Sequence, residues 1–286
     1  MPNLEQKKKA ETLRALHNAA SPLLLVNVWD VASARLIEEA GFPAIATSSA
    51  GVALAHGFPD GQKISRDRML AAVADIARAV QSPVTADAEA GYGKTPEDAA
   101  TTARGVIQAG AVGMNFEDTS GDEGRPLVDL SLQLERIRAI REAAGRLGIP
   151  FVLDARTDVY LLQVGEPGRR YDATVQRLQA FADAGADCVF APGLRDAPTI
   201  GRLVADLRCP LNILAGPGSP SVAELAALGV RRISLGSGPM RAGLGVLRRL
   251  AEELKSHGTY AALEGAPSHT EMNALMNTNQ NTKSGI

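Results

Sequence analysis

With 286 residues, 45% of them hydrophobic, the chain is long enough to bury a substantial core, as one barrel-type domain or as two smaller ones. A formal net charge of −2, with Lys7-Lys8-Lys9 as its longest basic run, argues against a nucleic-acid footprint, and no apolar stretch has the length of a membrane span or of a signal peptide. Cys188 and Cys209 are the only cysteines, which argues against a disulfide framework and suits a reducing cytoplasm, the expected location.

Residues 1–20 read as one helix ahead of the main pattern, with the lysines solvated. From Leu23 onward a short apolar run, a turn and an amphipathic segment alternate. The apolar runs are 23–28, 44–49, 84–89, 112–118, 151–157, 188–193, 211–216 and 232–237. Helical spacing marks 31–40, 66–80, 96–109, 130–147 and 172–184 between them. Several of these segments stop at a glycine, Gly41, Gly110, Gly185 and Gly229, the usual left-handed helix end. Thr95-Pro96-Glu97-Asp98 opens its helix with a cap, a proline and two acids. Eight strands alternating with about eight helices predict an α/β fold, a (β/α)8 TIM-type barrel. A doubly wound sheet would show a glycine fingerprint after its first strand, where this chain has Asn27-Val28-Trp29-Asp30. Residues 1–257 are expected to form a single barrel domain. Residues 258–286 form a polar extension, with a short helix at 271–276 packed on a neighbour and a mobile tail over 277–286.

The stretch 84–93 concentrates charge where a strand should end. If the strand runs through Glu89, Asp87 and Glu89 point to one side, and two carboxylates there need a cation or hydrogen bonds. The bland alternative is a helix cap and a solvated acid. Barrel active sites lie at the C-terminal ends of the strands, and those ends add Trp29, Asp30, Thr47, Ser48, Ser49, Asn115, Glu117, Asp118, Arg156, Asp158, Asn212 and Ser237. Asp30 reads as a helix cap. Ser48-Ser49-Ala50 reads either as an ordinary turn or as a cradle for a carboxylate, and Asp118 and Asp158 as orienting groups. Arg156 calls for a carboxylate partner, Glu117 or a bound anion. Asp87, Glu89 and Glu117, with Asp60 reaching in from its loop, form an all-oxygen set that favours Mg²⁺ or Mn²⁺ over Zn²⁺. Of the four histidines only His56 lies near this rim.

The runs Ser48-Ser-Ala-Gly51, Gly57-Phe-Pro-Asp60, Asp87-Ala-Glu-Ala-Gly-Tyr-Gly93, Asn115-Phe-Glu-Asp118 and Ala155-Arg-Thr-Asp158 together resemble the isocitrate lyase / phosphoenolpyruvate mutase superfamily, in order along about residues 20–255. The resemblance implies a barrel whose last helix is exchanged between subunits, in dimers paired into a tetramer. It also implies a Mg²⁺ site holding a 2-oxocarboxylate or its enolate. On that pattern Asp87 binds the metal directly, and Asp60, Glu89 and Glu117 hold its waters. Ser48, Ser49 and Ala50 take the substrate carboxylate, Arg156 the carboxylate or the developing oxyanion, and Trp29 forms a wall.

The lyases of this family carry a Lys-Lys/Arg-Cys-Gly-His motif on a loop after the fourth strand. Here that loop is Thr119-Ser-Gly-Asp-Glu-Gly-Arg125, without Cys, Lys or His, and both cysteines stand at strand starts. This argues against isocitrate or methylisocitrate cleavage. The family's phosphonate enzymes place Lys and Asn on a longer loop, also missing here. What survives is carbon–carbon lyase or decarboxylase chemistry on oxaloacetate, 2-oxoglutarate or pyruvate-type acids, with Tyr92, Glu117 or a metal-bound water as candidate bases. The alternatives are a 2-oxo acid binding protein with little turnover and a phosphonopyruvate-type mutase or hydrolase. The 119–125 loop, Tyr160, the 192–196 turn and Asn212 are expected to form the outer wall.

Overall fold

The computed structural model describes residues 2–277, so the tail expected over 277–286 lies, apart from Asn277, outside the described residues. In chain order the strands are β1 (Leu23–Leu25), β2 (Asn27–Val28), β3 (Ile45–Thr47), β4 (Val84–Asp87), β5 (Gly113–Glu117), β6 (Thr119–Asp122), β7 (Arg125–Leu127), β8 (Val152–Arg156), β9 (Cys188–Phe190), β10 (Leu211–Leu214) and β11 (Arg232–Ser234). Helices α1 (Leu4–His17), α2 (Val31–Glu39), α3 (Ser49–Ala55), α4 (Arg66–Ala79), α5 (Pro96–Gln108), α6 (Leu130–Arg146), α7 (Arg170–Asp183), α8 (Ala197–Asp206), α9 (Val222–Ala227), α10 (Gly238–His257) and α11 (His269–Asn277) accompany them.

One parallel sheet runs in the order β1-β11-β10-β9-β8-β5-β4-β3-β2. Its two ends are halves of the first expected strand, interrupted at Val26. β1 pairs with β11 and β2 with β3, which brings the sheet round into the expected (β/α)8 barrel. Each wall strand is followed by a helix, and the four glycine stops all have positive φ. Asp30 and Thr95 cap α2 and α5 with reciprocal bonds from Ser33 and Asp98, as their spacing predicts. Among the described residues no helix is long and apolar enough to cross a membrane.

Alternation along each strand sorts the chemistry. Met114 and Phe116 on β5, and Leu153 and Ala155 on β8, turn outward into the core shared with the helices. Thr85 and Asp87, Asn115, and Asp154 and Arg156 turn toward the barrel axis, where they line a common cavity. Helix α1 closes the lower end. Its Ala10, Leu13 and His17 are buried, Gln6 Nε2 donates to the carbonyls of Ile107 and Ala111, and Lys9 Nζ donates to Val80. Lys9 of the basic run is therefore bonded to the barrel rather than simply solvated.

Three elements differ from expectation at the site end. β4 stops at Asp87, because Glu89 (φ 47°), Gly91 (φ 83°) and Tyr92 (φ 54°) adopt left-handed backbone that no strand can continue through. A short extra helix, α3, begins at Ser49, capped by Ser48 Oγ accepting from Gly51 N–H. The 119–125 segment is an antiparallel hairpin, β6–β7. α11, as expected, is a short helix packed on a neighbour: Leu275 is buried, and Arg35 on α2 donates to the Met276 carbonyl at 3.3 Å.

Candidate active site

A cavity of about 210 Å³ opens at the C-terminal ends of the strands and runs down the barrel axis. Asp87 stands at its upper wall, where three donors converge on one carboxylate. Ser49 N–H (3.0 Å) and Ser49 Oγ (2.7 Å) reach Oδ2, and Asn115 Nδ2 (2.9 Å) reaches Oδ1. The left-handed turn after β4 presents Glu89 differently. Its carboxylate accepts from Gln62 N–H at 2.5 Å and from the Tyr92 hydroxyl at 2.8 Å. Two non-glycine residues in left-handed backbone cost roughly 1–2 kcal/mol each, so this turn has to be held. The buried Arg136 of α6 holds it, donating to the carbonyls of Ala90 and Gly93 while stacking on Phe116 at 4.8 Å.

Arg156 is the cation of the site. Nη1 meets Glu117 Oε2 at 2.9 Å, and Nε and Nη2 grip Asp158 at 2.6 and 3.1 Å. Asp158 N–H is fixed by Asp118 Oδ1, and Asp118 in turn accepts from Thr157 Oγ1 and Arg177 Nε, both at 2.6 Å. Burial disfavours the Arg156 charge, but Glu117 and Asp158 outweigh it and raise its pKa. Burial pushes Glu117 well above the usual carboxylate range against the pull of Arg156, with Asp158, Asp87 and Glu89 adding to the rise. Glu89 is pushed up to about 7 by burial, with Asp87 and Asp60 reinforcing it and Tyr92 and Gln62 opposing. Burial likewise raises Asp60, helped by Asp87.

Five carboxyl groups, Asp60, Asp87, Glu89, Glu117 and Asp158, thus share one field with a single guanidinium, that of Arg156. That surplus of negative charge, together with an unpaired Asn115 Oδ1, fits a divalent cation with oxygen ligands. Among the described residues no three acidic, His or Cys side chains form a ready-made cage. Mg²⁺ takes only one or two carboxylates directly and keeps its waters.

Folding pays a proton-linked cost at Glu89. With its folded pKa raised from 4.5 to about 7, the native state holds more protons than the unfolded chain, so its contribution to stability falls as pH rises through that window. His17 acts in the opposite sense. Burial and Arg232 lower its pKa to about 4, so its contribution is lost as pH falls from 6.5. The two oppose each other in the wild type, so the comparison is with Glu89→Gln. Without metal, this variant is expected to be more stable than wild type at pH 8 by up to about 3 kcal/mol, and equal to it near pH 4.5. Added Mg²⁺ should stabilise wild type more at pH 8 than at pH 5. Urea unfolding in EDTA and in Mg²⁺ measures both, and a difference independent of pH would remove Glu89 from the charge cluster.

The remaining expected residues divide. Asp60 and Ala50 line the cavity. Ser48 and Ser49 line it too, but Ser48 Oγ is spent on the helix cap and Ser49 on Asp87. Trp29 is half-buried beside Val52 and Tyr92 in a small separate core, and is not part of the cavity wall. The Tyr92 hydroxyl donates a hydrogen bond to Glu89, and burial raises its pKa, with Glu89 adding to the rise, so it is a hydrogen-bond donor here and not a base. His56 ends α3 on the surface. Asn212 lies low in the barrel, bonded to Asp154 Oδ2 at 2.8 Å and to Ser234 Oγ. Neither the hairpin, Tyr160 nor the 192–196 turn borders this cavity. Its outer wall is Leu161 and Phe190, the latter 5.7 Å from the Arg156 guanidinium. The hairpin borders a larger, 650 Å³ cavity beyond Tyr92 that none of these carboxylates reaches. Phe190 and Leu161 were hidden because neither is polar. Asp154 and Arg232 were discoverable, as charges inside otherwise apolar strands.

Both cysteines are free, Cys188 buried at the start of β9 and Cys209 just before β10, far from the strand ends that carry the site.

The family profile of phosphoenolpyruvate phosphomutase matches residues 13–255. The chain is 37% identical over 229 residues to an uncharacterised protein of Mycobacterium tuberculosis H37Rv, covering 80% of this chain and 83% of that one. Oxaloacetate decarboxylase of Pseudomonas paraeruginosa PA7 is 32% identical over 228 residues (76% and 75% covered), and 2-methylisocitrate lyase of Escherichia coli K12 is 30% identical over 193 (65% and 62%). A crystal structure from Burkholderia cenocepacia J2315, a candidate lyase or mutase, superimposes with a TM-score of 0.90 at 40% identity, covering 95% of this chain and 96% of that one. With the profile spanning most of the barrel and the acids at its strand ends, the chain belongs to the isocitrate lyase / phosphoenolpyruvate mutase superfamily.

Proposed function

We propose that the protein is a Mg²⁺-dependent carbon–carbon lyase that decarboxylates or cleaves a small 2-oxo dicarboxylic acid of the oxaloacetate type through its enolate. The observation that carries this reading is Arg156, held charged between Glu117 and Asp158 at the mouth of a cavity that Asp87 also lines. Asp87 would hold Mg²⁺, with Asp60, Glu89 and Glu117 orienting its waters. Bound there, the metal would supply Lewis-acid stabilisation of the charge developing at the 2-oxo oxygen. Arg156 adds a fixed charge to the same region and needs no reorganisation as the reaction proceeds. The Ala50 N–H, in the first turn of α3, has no acceptor within its own helix and would orient the substrate carboxylate. Leu161 and Phe190 exclude water from the departing group.

Size supports a short substrate, since 210 Å³ lies below the roughly 300–1,000 Å³ of sites for drug-sized ligands. The relatives include both an oxaloacetate decarboxylase and a 2-methylisocitrate lyase. We favour the former chemistry because 119–125 carries no Cys, Lys or His to protonate a leaving carbanion. That same absence favours, as a second reading, a 2-oxo acid binder with little turnover. Incubation with oxaloacetate, 2-methylisocitrate and 2-oxoglutarate, with and without Mg²⁺, separates the readings. Mg²⁺-dependent pyruvate and CO₂ from oxaloacetate is expected. Binding without product selects the second reading, and cleavage of 2-methylisocitrate overturns the exclusion.

We also propose that α10 is exchanged with a second copy. Of its 20 residues only Met240 is buried, and Leu244, Val246, Leu247 and Leu254 are exposed, as no last helix docked on its own barrel would leave them. Sedimentation equilibrium should give a dimer or tetramer, and Leu247→Glu should shift it toward monomer. A monomeric wild type would sink the proposal.

A further inference from the structure

Among the described residues, four that are not glycine have positive φ: Gln62 (59°), Glu89 (47°), Tyr92 (54°) and Gln163 (52°). Three of the four bond to one another. Gln62 N–H donates to Glu89 Oε2 at 2.5 Å, the Tyr92 hydroxyl donates to Glu89 Oε1 at 2.8 Å, and Tyr92 N–H donates to Gln62 Oε1 at 2.6 Å. They close a ring between two segments distant in sequence, the 56–64 loop that joins α3 to α4 and the turn that follows β4. Left-handed backbone is unfavourable for any residue with a β-carbon. Three such residues fastened to each other mark a place where the surrounding contacts over-determine the backbone.

The ring stands beside the site rather than in it. Glu89, with a bond on each carboxylate oxygen, does not line the 210 Å³ cavity, whereas Asp60, two residues before Gln62, does. Gln62 and Tyr92 line the 650 Å³ cavity on the other side. Asp60 lies in an exposed stretch of its loop, and the hydrogen-bond partner of its carboxylate is the Gly61 N–H of the same loop. The loop is rooted at one end by Phe58, whose N–H reaches the Ala53 carbonyl at 2.9 Å, and at the other by the buried Ile64. Between those roots, among the described residues, Gln62 alone hydrogen-bonds the loop to the rest of the barrel. A carboxylate carried on a loop keeps a fixed place only if the loop does.

We propose that Gln62 is a positioning residue that acts through Asp60, holding that carboxylate at the cavity where it orients a water of the bound Mg²⁺. Glu89 and Tyr92 are its fixed points, and Arg136 fixes them in turn through the carbonyls of Ala90 and Gly93. The identity of the residue follows from the geometry. Glycine is the residue that left-handed backbone favours, but it has no side chain to accept from Tyr92 N–H. Gln62 keeps the less favourable backbone and gains a tether at both its N–H and its side-chain oxygen. The positioning role rests on the Mg²⁺ reading of Asp60 given above; the docking of the loop by Gln62 does not.

The test compares the full chain with Gln62→Met, Gln62→Gly, Asp60→Asn and the double variant of Gln62→Met with Asp60→Asn. Gln62→Met keeps the length and the N–H and loses only the acceptor. Gln62→Gly loses the acceptor but relieves the left-handed backbone, so its urea midpoint should stay near that of wild type. In EDTA, amide hydrogen exchange at Tyr92 should be at least about tenfold faster in both Gln62 variants, and unchanged exchange overturns the docking. Isothermal titration with Mg²⁺ and oxalate should show an affinity about 10–100-fold lower in each, the range for losing an outer partner of a metal site. A loss of affinity at an unchanged urea midpoint is what a merely structural role would not produce. In the double variant, Gln62→Met should add less than about twofold to the loss in Asp60→Asn. An unaffected Asp60→Asn, or a full further loss in the double variant, overturns action through Asp60. Unchanged affinity in both Gln62 variants overturns the positioning role alone. No Mg²⁺-dependent oxalate binding by wild type overturns it together with the metal reading, while the exchange at Tyr92 still decides the docking.

Discussion

Replacing Arg156 by Met is expected to lower kcat/KM on the preferred 2-oxo acid by at least about 10²–10³-fold, the range for losing one preorganised charge-stabilising group. The same change is expected to cost about 3–5 kcal/mol of stability at pH 8, because it leaves Glu117 and Asp158 buried without their cation. Burial already raises both acids, and without the guanidinium nothing opposes that rise. In the variant the native state therefore takes up protons more readily than the unfolded chain. Its deficit should shrink from pH 8 to pH 5. Arg156→Lys keeps the charge but cannot span Glu117 at 2.9 Å and both oxygens of Asp158, so it should recover part of the stability and little of the rate. Steady-state kinetics with urea unfolding at the two pH values reads both effects. Unaltered kcat/KM in Arg156→Met would take Arg156 out of the chemistry.

The barrel was legible because its signals are local: apolar runs of strand length, helical spacing, and helix ends marked by Gly41, Gly110, Gly185 and Gly229. The site was legible to the extent that polar residues at strand ends have few structural reasons to be there, which is how Asp87, Glu117 and Arg156 came to light. What stayed hidden depends on tertiary geometry. A strand through Glu89 was the natural extrapolation of an apolar run, and only the left-handed backbone at Glu89 and Tyr92, pinned by Arg136 from α6, ends it at Asp87. The Ser48–Ala50 turn left two readings open, and the chain uses it as a helix start whose second serine serves Asp87. The polar axis was overlooked for another reason. Asp154 and Arg232 sit inside strands, where attention to strand ends does not reach, although two charges within apolar runs already required partners across the barrel.

The charge balance links the site to its support. Arg156 neutralises no more than one equivalent of negative charge, and the groups that place it are themselves a chain: Arg177 on Asp118, Asp118 on the Asp158 backbone, Asp158 on Arg156. Arg177 Nη2 also donates to the Val128 carbonyl at the base of the hairpin, at 2.7 Å. The guanidinium is thus set by the fold before any ligand arrives, while the carboxylates around it stay under-compensated. Under the proposed function, such an arrangement would suit a cation and would have a fixed positive charge to offer the substrate.

Asp87→Asn should abolish Mg²⁺-dependent binding of oxaloacetate and of oxalate altogether, the largest effect expected of any single change here. The substitution is nearly isosteric, so the argument rests on charge and on donor count. Asp87 now accepts from three donors, two on Ser49 and one on Asn115, and both of its oxygens are used. An amide replaces one of those oxygens with a donor. Turned toward Asn115, its NH₂ meets another NH₂; turned toward Ser49, it opposes a backbone N–H and forces the hydroxyl to rotate. The cluster also loses the carboxylate on which the metal would rest, while Glu89, freed of its neighbour's charge, should titrate lower. Isothermal titration with Mg²⁺ and oxalate is therefore expected to show no metal-dependent heat in the variant, while its urea midpoint at pH 8 changes little, relief of like-charge repulsion offsetting the mismatched hydrogen bond. Mg²⁺-dependent binding that survives in Asp87→Asn would place the metal elsewhere on the rim, with Glu117 as the first candidate ligand.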